Sequence, residues 1–245
     1  MPVSARFFDV TADGDVTIVR IDRPPVNAID PELLVAGIAL LGELSESGEG
    51  AVVITGTGIS FSAGLDIKIA PTLDEAGQRE MRANVNRLLG GWALFPRPLV
   101  TAVNGHAIAG GLILALCGDF RVAGPDGQFG LTEVKVGVPY PPAAMAIVRS
   151  ELSPPVARRY ARGGEVVGSD AALRDGMFDK VVTADELLPT AVAAARELAP
   201  LAGPSYTHTK RALRSAVARA LEPDAIADEA WLGEDTAGRT RNALR

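Results

Sequence analysis

The stretch Leu99-Val100-Thr101-Ala102-Val103-Asn104-Gly105-His106-Ala107-Ile108-Ala109-Gly110-Gly111-Leu112-Ile113-Leu114-Ala115-Leu116-Cys117 decides the fold. Its first five residues read as a buried strand, Asn104 to Gly111 as a glycine-bearing turn, and the apolar remainder as a helix of roughly two turns ending near Gly118. The same order stands earlier, where the apolar run Ala51 to Thr55 leads to the turn Phe61-Ser62-Ala63-Gly64-Leu65-Asp66. Glycine lets backbone approach a ligand closely, and the first amides of a helix are free donors. Two such turns can aim two N–H groups at one developing oxyanion. Downstream, Gln128-Phe129-Gly130-Leu131-Thr132-Glu133 brings a proton-transfer group, Glu133, among apolar neighbours.

Outward from these segments, strand-like and helix-like patterns alternate. Val16 to Ile21 reads as a strand, and Asp30-Pro31 as N-cap and first-turn residues of a helix whose apolar side carries Leu33, Leu34, Ile38, Leu41 and Leu44. Residues 74–95 carry Met81, Val85, Leu88, Leu89 and Trp92 at helical spacing until Pro96 and Pro98 end the pattern. A short strand is expected at Phe120 to Ala123, a rigid loop at Pro139 to Pro142, a helix from Ala143 to Leu152, and a further helix and strand at 169–174 and 178–182. This alternation predicts an α/β fold with a mostly parallel sheet system. From Asp185 on, the chain reads as helical, and a boundary near residue 200 separates a core, 1–200, from a helical appendage, 201–245.

Composition narrows the function. A chain of 245 residues, 47% hydrophobic and 22% charged, can bury a full core. Its net charge of −6 supplies no basic field for nucleic acid or anionic lipid, so an anionic ligand needs local Lys and Arg. The single Cys117 permits no intrachain disulfide, the apolar run 107–117 is too short to span a bilayer, and residues 1–15 carry charges where a signal peptide needs an apolar run. A cytoplasmic protein with neither nucleic-acid nor membrane partners is expected. His106 and His208, the only histidines, lack metal-ligand spacing, and no strand-anchored nucleotide-binding glycine motif is present, so neither metal nor bound cofactor is expected.

Four segments, in order, resemble the crotonase superfamily, the enoyl-CoA hydratase/isomerase family: Arg23-Pro24-Pro25-Val26-Asn27-Ala28, Phe61 to Lys68, Asn104 to Asp119, and Gln128 through Gly137. The resemblance covers nearly the whole chain. It implies a spiral of ββα units building two sheets, a C-terminal helical region over 201–245 that forms a homotrimer or a dimer of trimers, and a coenzyme A thioester as substrate rather than cofactor. Carried over position by position, the N–H groups of Leu65 and Gly110 form an oxyanion hole for the thioester oxygen, with Gly64 shaping the first turn. The backbone around Val26, Ala28, Ala63 and Asp66 meets pantetheine and adenine, while Lys68 and Lys210 approach the phosphates. The run His208, Lys210, Arg211, Arg214 and Arg219 clusters positive charge on parts of one helix, a pattern that more often means a solvated basic face than a phosphate site.

Hydratases of the family pair two glutamates; here Ile113 stands at the first position and Glu133 alone remains. That pattern resembles the single-glutamate isomerase branch, in which one carboxylate moves a proton from C2 to C4 without consuming water. An atypical hydratase relying on Glu133 alone, and an acyl-CoA-binding protein without turnover, are the alternatives. Burial beside Leu131 and Val134, facing Ile113, raises the pKa of a carboxyl group toward a general base's range. A solvated Glu133 paired with Lys135 is the opposing reading. Tyr140, in Gly137-Val138-Pro139-Tyr140-Pro141-Pro142, either lines the acyl channel or packs as a loop aromatic, and Asp119 belongs to the structural core.

Overall fold

The computed structural model describes residues 6–47, 50–69 and 72–222. Ten strands form two sheets. The larger contains β1 (Phe8–Asp13), β2 (Val16–Ile21), β3 (Ala51–Gly56), β5 (Leu99–Val103), β7 (Phe120–Ala123) and β10 (Lys180–Val181), in the order β1-β2-β3-β5-β7-β10. The smaller contains β4 (Ser60–Ser62), β6 (His106–Ile108), β8 (Gln128–Gly130) and β9 (Val166–Gly168), in that order. β1 runs antiparallel to β2 and β9 antiparallel to β8; the other pairings are parallel.

The central strands are apolar without interruption because both faces of the larger sheet are covered. Every residue of β3 and β5 is buried. Val53, Val100 and Val122 pack against Leu187, Ala191 and Val192 of α8 (Ala184–Leu198), while Val52, Ile54 and Val103 belong to the main core on the other face. β1, at one edge of that sheet, is exposed at every residue after Phe8.

Three successive units share one plan. A strand of the larger sheet crosses directly to a three-residue strand of the smaller, and a helix follows: β3-β4-α2 (Glu75–Ala93), β5-β6-α3 (Gly110–Leu116) and β7-β8-α4 (Glu133–Val136). This is the crotonase spiral of ββα units. Because β4, β6 and β8 lie side by side and parallel, the residues that leave their carboxyl ends come together: Ala63 to Asp66, Ala109-Gly110, and Leu131 to Glu133.

Most of the expected elements stand where the sequence puts them. α1 (Pro31–Glu46) begins with the Asp30 side chain accepting from the Leu33 amide, as its N-cap reading requires. The helix expected over 143–152 is α5 (Pro142–Glu151), and α7 (Ser169–Arg174) matches its expected span. The three-residue strands, together with α6 (Pro154–Gly163), are additions that the sequence pattern does not disclose.

The expected appendage begins with a 3-10 turn at Ala199–Leu201, followed by α9 (Pro204–Leu213) and α10 (Ser215–Arg219). Its described part lies on the core. Val217 is fully buried, Asn86 of α2 donates to the Ala220 carbonyl at 2.8 Å, and Arg214 donates to the carbonyls of Ala93 and Cys117 at 2.7 and 2.9 Å. The remainder of that region, 223–245, lies outside the described residues. Among the described residues no helix is long and apolar enough to cross a membrane.

Candidate active site

A cavity of about 470 Å³ opens where the three units converge. Val26, Ala28, Ala63, Leu65, Asp66, Lys68, Gly110, Ile113 and Glu133, all singled out in the sequence, line it. The turn at 23–29 is held there by hydrogen bonds to the first glycine turn. Ala63 N donates to Val26 O at 3.0 Å, Ile29 N to Gly64 O at 2.8 Å, and Asp66 N to Ile29 O at 2.9 Å. Asn27, buried with φ 53°, staples the same turn by donating to the carbonyls of Thr57 and Ser60 at 3.0 and 2.8 Å.

Leu65 and Gly110, one from each glycine turn, border this cavity. Among the described residues neither Leu65 N–H nor Gly110 N–H has an acceptor, although the amides flanking them are bonded: Gly64 N to Ser62 Oγ at 3.1 Å, Asp66 N to Ile29 O and Ala109 N to Gly130 O. Backbone donors without a protein acceptor beside a cavity are free to meet a ligand acceptor. Their exposure has a backbone cause. Ala109, at φ 52° and ψ −125°, holds a conformation that L-residues rarely adopt, and it precedes the Gly110 amide. The approach of the two turns also requires glycine at position 111, where a Cβ would stand 2.0 Å from Ser62 O.

Glu133 is the first residue of α4, directly after β8. It is 6% exposed, and its Oε2 is buried without a hydrogen-bond partner. Burial pushes its carboxyl up to about 7, against opposing contributions from its own amide and from Tyr140. Lys135 is exposed and forms no ion pair with it among the described residues, which removes the solvated salt-bridge reading. Ile113, 1% exposed on α3, lines the same cavity as Glu133. Much of the remaining wall is apolar: Val85, Leu88 and Leu89 from α2, with Val136, Val138 and Ala144.

Several of the expected residues stand away from the cavity. Lys210 does not reach the cavity: it is buried, its Nζ donating to Asp119 Oδ2 at 2.7 Å and to Arg97 O at 3.2 Å. Arg214 is likewise buried, bonded to Glu151 at 2.8 Å, so the basic run at 208–219 divides between the interior and solvent instead of forming one phosphate-binding face. Removing an ammonium from water is tolerable only beside an opposite charge, and Asp119 provides it, which confirms the structural reading of that aspartate. Tyr140 lies outside the cavity lining, packed partly buried against the core, with its hydroxyl 3.4 Å from Ala161 O. Gly64 also shapes the turn without itself lining the cavity.

Arg23 borders the cavity unforeseen as a site residue. It is ion-paired with Asp30 and stacked 5.1 Å from the Phe7 ring, and its place beside the quoted Pro24-Pro25 segment was the available signal. The contributions of α2 and the 136–144 loop were masked because their apolar residues read equally well as core.

Residues 11–241 match the enoyl-CoA hydratase/isomerase family. The chain is 32% identical over 206 residues to a probable enoyl-CoA hydratase of Mycobacterium avium, covering 83% of this chain and 79% of that one. To a putative enoyl-CoA hydratase of Thermus thermophilus it is 31% identical over 229 residues, 90% of each chain. Among solved structures, a probable enoyl-CoA hydratase of Mycobacterium tuberculosis superposes with a TM-score of 0.82 at 29% identity, covering 88% of this chain and 91% of that one. With the spiral, the converging turns and the matched span in agreement, this chain belongs to the enoyl-CoA hydratase/isomerase family of the crotonase superfamily.

Proposed function

We propose that the protein is an enoyl-CoA isomerase that shifts a double bond from the 3- to the 2-position of an acyl-CoA thioester. The thioester oxygen accepts hydrogen bonds from the N–H groups of Leu65 and Gly110. Ionised Glu133 takes a proton from C2, the electron pair moves onto the thioester oxygen as an enolate conjugated with the C3–C4 double bond, and the same carboxyl group returns the proton at C4. The base is regenerated and no water is consumed. Donors already in position stabilise an enolate without reorganisation, and loss of one costs about 2.7–4 kcal/mol where it has been measured. Lys68, exposed at the cavity's border, stands where the anionic end of coenzyme A would leave.

The observation that carries this reading is the pairing of one buried carboxyl group, its Oε2 without a partner, with Ile113 where a water-activating acid would otherwise be. The names of the relatives favour a second reading, enoyl-CoA hydration, and one relative of 32% identity over 212 residues is a carnitinyl-CoA dehydratase of Salmonella arizonae. Incubation with matched 3-enoyl-CoA and 2-enoyl-CoA separates the two. Isomerisation yields the conjugated product at unchanged mass, whereas hydration adds one water; accumulation of the hydrated product from 2-enoyl-CoA without any 3-to-2 conversion would overturn the proposal.

A further inference from the structure

Glu133 is one partner short, and Tyr140 stands next to it. The loop Val138-Pro139-Tyr140-Pro141-Pro142 is bracketed by prolines that fix its backbone. Pro139 and Pro141 line the cavity while Tyr140 does not, as expected where neighbouring side chains of an extended segment leave on opposite sides. The phenol therefore sits behind the carboxyl group rather than in the acyl space. Its oxygen has one weak partner, the Ala161 carbonyl of α6 at 3.4 Å. It also lies within hydrogen-bonding and electrostatic reach of the Glu133 carboxyl group, whose Oε2 is left without a partner.

We propose that Tyr140 is a positioning residue for Glu133: its hydroxyl donates to the carboxylate when the acid is ionised and turns back to the Ala161 carbonyl when the acid holds a proton. A hydroxyl rotor between two acceptors needs no backbone movement to do this. The device suits a base that loses and regains charge within one turnover, because the donor follows the charge. The phenol remains protonated throughout, since burial and the neighbouring carboxylate both push its pKa upward. Tyr140 is the side chain that opposes the effect of burial on Glu133. Of the charged groups on the flanking helices, Lys135 on α4 and Arg158, Arg159 and Arg162 on α6 are all exposed.

This inference rests on Glu133 being the base, but its test does not require turnover. The Glu133 carboxyl carbon is followed by 13C NMR across the pH range in the wild-type protein and in Tyr140→Phe, with Glu133→Gln used for assignment. The expected result is an upward shift of the Glu133 midpoint by roughly one unit in Tyr140→Phe, the size of one lost hydrogen bond to a charge. In the wild-type protein, the Tyr140 Cζ resonance should move at the Glu133 midpoint, and that movement should vanish in Glu133→Gln. The second measurement decides the matter if Tyr140→Phe does not fold. An unchanged Glu133 midpoint in a folded Tyr140→Phe, or a Tyr140 resonance indifferent to Glu133, overturns the proposal. If the NMR coupling is present and no enoyl-CoA is converted, the isomerase assignment fails while the pair stands; conversion without the coupling means the reverse.

Discussion

A Cβ added to Gly64 would stand 2.9 Å from the amide nitrogen of Gly110 and 2.7 Å from the carbonyl oxygen of Ile108. The two glycine turns, 46 positions apart by residue number (110 − 64), thus approach so closely that neither can move alone. Gly64 also sits at φ +77°, where a side chain adds strain. Gly64→Ala is expected to separate the Leu65 and Gly110 amides. Turnover should fall about 10²–10³-fold, the cost of one misplaced donor, with stability reduced by roughly 1–3 kcal/mol. Steady-state kinetics beside a thermal melt checks both.

The pH dependence follows from Glu133. Its active form is the carboxylate, so kcat/KM should rise as pH passes through about 7. Stability has the opposite sign. The folded-state pKa is raised, so the neutral acid's contribution is fully present below the ordinary glutamate range and is lost as pH rises through about 7. Glu133→Gln, neutral at every pH, should be more stable than wild type at pH 8 by on the order of 1–3 kcal/mol and equal to it near pH 4. It should also lose roughly 10²–10⁴ in rate. Chemical denaturation at the two pH values and one rate assay test these outcomes together.

Lys210 is a structural cation. Lys210→Met removes the 2.7 Å contact to Asp119 but leaves that aspartate with Arg214 at 3.4 Å and with the Tyr206 hydroxyl at 2.8 Å. The expected loss is therefore about 2–3 kcal/mol, below the roughly 3–5 kcal/mol of a fully orphaned buried charge. KM for an acyl-CoA should stay within about twofold of wild type, where loss of a phosphate contact would raise it tenfold or so.

Ile113→Glu restores the acid that a water-activating pair needs. Since Ile113 and Glu133 line one cavity, the variant should gain addition of water to 2-enoyl-CoA, read as a mass increase. The second carboxylate should also push the Glu133 midpoint further upward by like-charge repulsion.

Legibility in the sequence followed length and periodicity. α1 announced itself through Asp30-Pro31 and its apolar stripe, and β2, β5 and β7 through short runs rich in β-branched and other apolar residues. The three-residue strands β4, β6 and β8 carry too few residues to show a period, yet they align the turns that border the cavity. The convergence of Leu65, Gly110 and Glu133 therefore came from family resemblance, not pattern. Lys210 and Arg214 misled because the helical spacing of a basic run does not reveal acidic partners more than 60 residues earlier, such as Asp119 and Glu151. Tyr140 was ambiguous because its direction depends on how the surrounding prolines extend the loop.

The most direct test of the account is exchange of the C2 proton. A saturated acyl-CoA held by the protein in heavy water cannot isomerise, but it can form the enolate between the Leu65 and Gly110 amides. The account predicts that the wild-type protein incorporates deuterium at C2 and that Glu133→Gln loses this by roughly 10²-fold or more while still binding the thioester. Exchange in Glu133→Gln at the wild-type rate, or none in either protein despite tight binding, would contradict it.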